Sequence, residues 1–82
     1  MRCNTIMAVT VSKRTSAAPL VQQALTKHGC IINLRVGLHE TDRACEERGL
    51  ILLHLCGTAK QVSALKCDLN RIKGARAKTL AL

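Results

Sequence analysis

Apolar and polar positions alternate along the chain in short blocks separated by turn residues. From Thr5 to Val11 the segment is apolar and β-branched (Thr5, Ile6, Val9, Thr10, Val11), which predicts a first strand. Ser12 to Ser16 is a polar, basic turn. Leu20, Val21, Ala24 and Leu25 then recur at helical spacing, and Pro19 is expected in the first turn, where its missing N–H costs nothing. Gly29, behind Lys27 and His28, predicts the helix end. From Cys30 to His39 the period is two. Cys30, Ile32, Leu34, Val36 and Leu38 are assigned to the core face, and Ile31, Asn33, Arg35, Gly37 and His39 to the other. Glu40 to Gly49 reads as a charged connecting loop. Leu50 to Cys56, bounded by Gly49 and Gly57, is a dense apolar run suited to a central buried strand.

Thr58 opens a second helix with a capping box, because Gln61 stands three residues on and can reach back to the cap. Val62, Leu65, Leu69 and Ile72 form its apolar stripe, and Gly74 ends it. Ala75 to Leu82 closes the chain as a short strand with Arg76 and Lys78 on one face. The order strand, helix, strand, strand, helix, strand is an internal βαβ repeat. It predicts one α+β domain over residues 1–82: a ferredoxin-like βαββαβ fold, with two helices on one face of a four-stranded antiparallel sheet and the other face open.

Composition narrows the function classes. The chain has 82 residues and no Phe, Tyr or Trp, so its core is aliphatic and it lacks the rings on which nucleobases stack. A nucleic-acid partner is therefore disfavoured, although the formal charge is +8. Four of the five acids (Glu40, Asp42, Glu46, Glu47) sit in one stretch, which leaves the rest basic and suited to an anionic partner. No stretch is long and apolar enough for a membrane span, and no secretory signal is visible at the N-terminus. Five cysteines without either signal point to a cytoplasmic setting with free thiols.

Candidate chemistry is sparse. His54 and Cys56 lie two apart on a predicted strand and could share a soft metal, as could His28 with Cys30, or His39 with Cys45. No Cys-x-x-Cys pair accompanies them, so no metal or other cofactor is assigned. Ser12-Lys13-Arg14-Thr15-Ser16 could hold an anion at a helix N-terminus but lacks the glycines of a phosphate cradle. Arg35, His54, Arg76 and Lys78 are expected to share the open face as a cationic surface for a carboxylate or phosphate, with Gly37 leaving space beside Arg35. No nucleophile and base stand at a diagnostic spacing, and the expectation is a protein that is not an enzyme.

Leu34-Arg35-Val36-Gly37, the acidic loop, the aliphatic strand ending in Gly57, and Ile72-Lys73-Gly74-Ala75-Arg76-Ala77-Lys78-Thr79 together resemble a family of small stand-alone ACT-like proteins, the iron-only hydrogenase system regulators. The resemblance covers nearly the whole chain. It implies a non-catalytic regulatory or sensor domain that works as a homo-oligomer, a dimer or tetramer, with a small anionic effector at a subunit interface. The C-terminal domain of nickel-responsive repressors is more distantly similar. Its two second-strand histidines fall at Arg35 and Gly37 here, so retention of the nickel site is not expected. Leu38-His39 replaces the aromatic-proline pair of the regulator family. Two other readings remain: a nucleic-acid-binding sheet, and a soft-metal chaperone. The chaperone would need paired cysteines where this chain has Ser12 to Ala17.

Overall fold

The computed structural model describes residues 3–12, 14–38 and 49–82. Its elements are β1 (Thr5–Val11), α1 (Arg14–Lys27), a 3₁₀ turn (Gly29–Ile31), β2 (Ile32–Leu38), β3 (Gly49–Leu55), α2 (Ala59–Asn70) and β4 (Ala75–Ala81). All neighbouring strands are antiparallel, in the order β2-β3-β1-β4. This is the ferredoxin-like βαββαβ arrangement expected from the sequence. His39, Glu40, Asp42, Cys45, Glu46 and Glu47 lie outside the described residues.

The core forms where the odd-numbered residues of β1 and β3 meet the two helices. Met7, Val9 and Val11 of β1 and Leu53 and Leu55 of β3 are buried against Ala17, Val21, Ala24 and Leu25 of α1 and Leu65 and Leu69 of α2. Each large side chain so removed from water contributes about 1.5–3 kcal/mol. No aromatic ring is needed, because a sheet this narrow is covered by branched aliphatics and small residues that let the helices approach.

The second helix follows its sequence signals closely. Thr58 Oγ1 accepts from the Gln61 N–H at 3.2 Å while Gln61 Oε1 accepts from the Thr58 N–H at 2.9 Å, the reciprocal capping box. Gly74, at φ 93°, makes the left-handed turn into β4 that a side chain would strain. Asn70, the last residue of α2, donates its amide to the Ala77 carbonyl at 3.3 Å and accepts from the Ala77 N–H at 2.8 Å. It thereby occupies part of the outer edge of β4, which would otherwise offer unpaired backbone groups.

The first helix differs from expectation. It begins at Arg14, so Pro19 stands inside it rather than in its first turn, and Leu20 is 49% exposed while Ala17 is buried. Burial of Ala17, Val21, Ala24 and Leu25 outweighs the one intrahelical hydrogen bond that Pro19 cannot donate.

Entry into β2 differs more consequentially. Cys30 is exposed in the 3₁₀ turn, whereas Ile31 is buried and packs under Gly57, where an added Cβ would come within 2.8 Å of Ile31 Cγ2. The strand therefore starts at Ile32. Ile32 lies opposite Leu55 but Leu34 lies opposite His54, so Asn33 is an extra residue, a β-bulge. From there Leu34, Arg35 and Val36 take the face opposite to the one the alternation predicts, while the side chain of Leu38 lies outside the described residues.

The helices are also tied at their C-terminal halves. His28 Nε2 lies 2.7 Å from Asp68 Oδ2, and Lys27 Nζ lies 3.4 Å from the same oxygen. The His28 hydrogen bond, reinforced by the Lys27 charge, holds the Asp68 carboxyl below its ordinary value of 3.8. A depressed carboxyl stabilises the fold above its unfolded pKa and loses that contribution as pH falls through the lower folded value. Chemical denaturation followed from about pH 5 to pH 2 should therefore show a smaller acid loss in Asp68→Asn than in the parent protein. Equal losses would mean that the contact contributes nothing.

Candidate functional site: the open face of the sheet

The strand register places residues on the face away from the helices in three rows that run across the sheet. Leu34, His54, Ile6 and Leu80 form one row, and Val36, Leu52, Ala8 and Lys78 the next. Leu50, Thr10 and Arg76 continue the pattern. Leu34 is 58% exposed, Val36 40% and Leu80 62%, while Ile6, Ala8, Leu50 and Leu52 are half-buried. The face is thus mainly aliphatic over β2, β3 and β1, interrupted by His54 and Thr10, and carries Arg76 and Lys78 beside Leu80 on β4. Arg76 and Lys78 have no carboxylate partner among the described residues, and they border a shallow depression of about 370 Å³ beside Asn70.

The expected cationic set divides. His54, Arg76 and Lys78 share the open face as predicted, but the bulge turns Arg35 and Gly37 to the helix side. There the Arg35 guanidinium donates to Gln22 Oε1 of α1 at 2.6 Å, and the space beside Gly37 is empty. Arg35 and Gly37 stand on one edge strand and Arg76 and Lys78 on the other, three strand spacings or about 14 Å apart. Within one chain the four do not surround one small anion. The sequence carries a sign of the bulge: Ile31 and Ile32 are consecutive, and packing both against the core breaks strict alternation.

The metal candidates are engaged otherwise. His54 Nδ1 accepts from the Asn33 side-chain amide at 3.0 Å, and its Nε2–H donates to the Cys3 carbonyl at 3.1 Å. Cys56 is bonded through sulfur to Cys3, so these two are not the free thiols expected from the sequence. The reason is register. Thr5 opposite Leu55 brings the residues before β1 beside those after β3, across a sequence separation of 53 that no short motif betrays. His28 is held by Asp68, and Cys30 and Cys67 are exposed and unbonded. Among the described residues no three His, Cys, Asp or Glu side chains gather to hold a metal. His39 and Cys45 lie outside the described residues. So do Lys13 and the side chains of Arg14 and Thr15, which were expected to make an anion-binding turn.

No protein-family model matches the chain, and no curated protein does. Among solved structures it superposes on the uncharacterized protein TM1266 from Thermotoga maritima with TM-score 0.85 and 31% identity, covering 95% of this chain and 94% of that one. It is also similar in fold to formyltetrahydrofolate deformylases from Pseudomonas putida KT2440 (TM-score 0.60, 12% identity) and Burkholderia mallei ATCC 23344 (TM-score 0.60, 11% identity). It covers 96% and 93% of its own length in those matches but spans only 29% and 27% of the two enzymes. The likeness to the deformylases is one of fold alone, the ferredoxin-like βαββαβ arrangement. The match to TM1266 extends over nearly the whole of both chains, and this protein belongs to the same family as TM1266.

Proposed function

We propose that this protein is a non-catalytic ACT-like regulatory module that pairs with a second copy through its open sheet face and responds to a small anion at the margin of that interface. The observation that carries the reading is the open face itself, mainly aliphatic across three strands and bordered on the fourth by Arg76 and Lys78, which have no carboxylate partner among the described residues. An apolar field of this size on a small domain is often functional. Four strands about 4.8 Å apart and some six residues deep give a flat area on the order of 400 Å² per copy. With side-chain relief, two copies hide on the order of 1,000 Å², the lower bound for a specific interface. Arg76 and Lys78 fall on its rim, where charge belongs. A carboxylate or phosphate there would offset the repulsion between two strongly basic chains, and so couple ligand binding to assembly.

Lack of catalysis is part of the proposal. Both nitrogens of His54 are already hydrogen-bonded, and Asp68, the one carboxylate side chain among the described residues, is held by His28 and Lys27. What is regulated is proposed from the family resemblance of Leu34-Arg35-Val36-Gly37 and of the closing strand: an iron-only hydrogenase system.

Sedimentation at about 10–100 μM should show a dimer or larger. Val36→Lys with Leu52→Lys should return it to monomer without unfolding it, since both side chains stand on the face away from the core. A monomeric parent protein across that range would refute the pairing.

For the effector arm, citrate and pyrophosphate should raise the melting temperature and tighten the dimer. Arg76→Ala should weaken that response by about 1.5–3 kcal/mol, the contribution of a hydrogen bond to a charged group. Arg35→Ala, on the other face, should leave it unchanged. A response lost in Arg35→Ala and kept in Arg76→Ala would move the site to the β2 edge.

A further inference from the structure

We infer that Cys3 and Cys56 are a reversible thiol–disulfide couple whose closure holds the corner of the open face at which His54 and Asn33 set the register of β2. The couple stands apart from the pairing described above. Only its effect on assembly rests on that reading.

Cys3 precedes β1 and is exposed, and the backbone at this corner is otherwise held to the sheet by its pairing with β4, through the Leu82 N–H and the Asn4 carbonyl at 2.7 Å. Cys56 is half-buried and anchored, its N–H donating to the Ile31 carbonyl at 2.8 Å. The disulfide ties the exposed partner to the anchored one. Cys3 is also the residue whose carbonyl accepts from His54 Nε2–H, and the other ring nitrogen of His54 accepts from Asn33, the inserted residue of the bulge. The chain of contacts thus runs from the disulfide through a carbonyl and an imidazole to the residue that decides which face Leu34 and Val36 take.

The two sulfurs differ in access, which suits exchange with a small thiol or disulfide. The Cys3 thiolate attacks one sulfur of a low-molecular-weight disulfide and releases one thiol. The Cys56 thiolate then attacks Cys3 sulfur in the mixed disulfide, releasing the second thiol and closing the bond. The protein loses two electrons and two protons, and the external disulfide takes up both as two thiols. Reduction by a small dithiol or two monothiols runs the same steps backwards. Cys30 and Cys67, exposed and unbonded, have no part in it.

The test uses the full chain carrying Cys30→Ser, Cys45→Ser and Cys67→Ser, equilibrated over a series of ratios of reduced to oxidised glutathione. Alkylation and intact mass count the free thiols, ¹⁵N spectra of the imidazole report His54, and sedimentation reports pairing. The two thiols should disappear together at a single midpoint, the His54 ring signals should change with that same midpoint, and the dimer dissociation constant should rise at least about fivefold on reduction. Adding Cys3→Ser should leave the fold intact and remove all redox response. A pair that never closes, or His54 signals indifferent to closure, overturns the inference. A protein monomeric in both states, with His54 still tracking the couple, supports the clasp and counts against the pairing alone.

Discussion

The inserted residue Asn33 between Ile32 and Leu34 governs more of this molecule than its size suggests. Strand side chains alternate with a period of two, so one extra residue exchanges the two faces of everything that follows. Here it sends Leu34 and Val36 to the open face and Arg35 to the helix side, where Gln22 receives it. The bulge is secured from both ends. Ile31 is locked beneath Gly57, and the Asn33 amide is bound to His54. A basic, half-polar strand surface thereby becomes an aliphatic one. The apolar character of the open face, and the separation of the cations into two distant groups, both follow from that one slip.

Much of the fold was legible because its signals are local. The bounds of β1, the Thr58 capping box and the left-handed turn at Gly74 each depend on a few neighbouring residues and stand where the pattern places them. Of the second helix's stripe, Val62, Leu65 and Leu69 lie in α2, while Ile72 falls in the turn after the helix ends at Asn70. The start and facing of β2 were not legible. Apolar residues occupy both faces of this sheet, so alternation indicates which residues share a face but not which face meets the helices. Pro19 was misplaced because packing of Ala17 and Val21 against the strands outweighs a local helix signal. The bond between Cys3 and Cys56 was invisible for a different reason: it depends on the β1–β3 register, a tertiary fact.

The candidate site was half legible. Arg76 and Lys78 lie on the face the sequence assigns them, because β4 is regular and free of bulges. Arg35 drew attention as a guanidinium next to a glycine, a sound chemical cue attached to the wrong face. The chain is basic overall, and Arg76 and Lys78 along β4 have no carboxylate partner among the described residues. In the proposed pairing, that charge opposes assembly while the apolar face favours it, so that an anion would control pairing without a backbone movement.

The face taken by β2 is the premise on which this account stands, and methyl NMR tests it most directly. With isoleucine, leucine and valine methyls labelled in the protein diluted to its smallest assembly, nuclear Overhauser contacts should join Val36 to Leu52, its partner on the open face. Neither Leu34 nor Val36 should reach the helices. Contacts from Leu34 or Val36 to Leu53, Val21 or Leu25 would place them in the core, remove the apolar open face, and contradict the account.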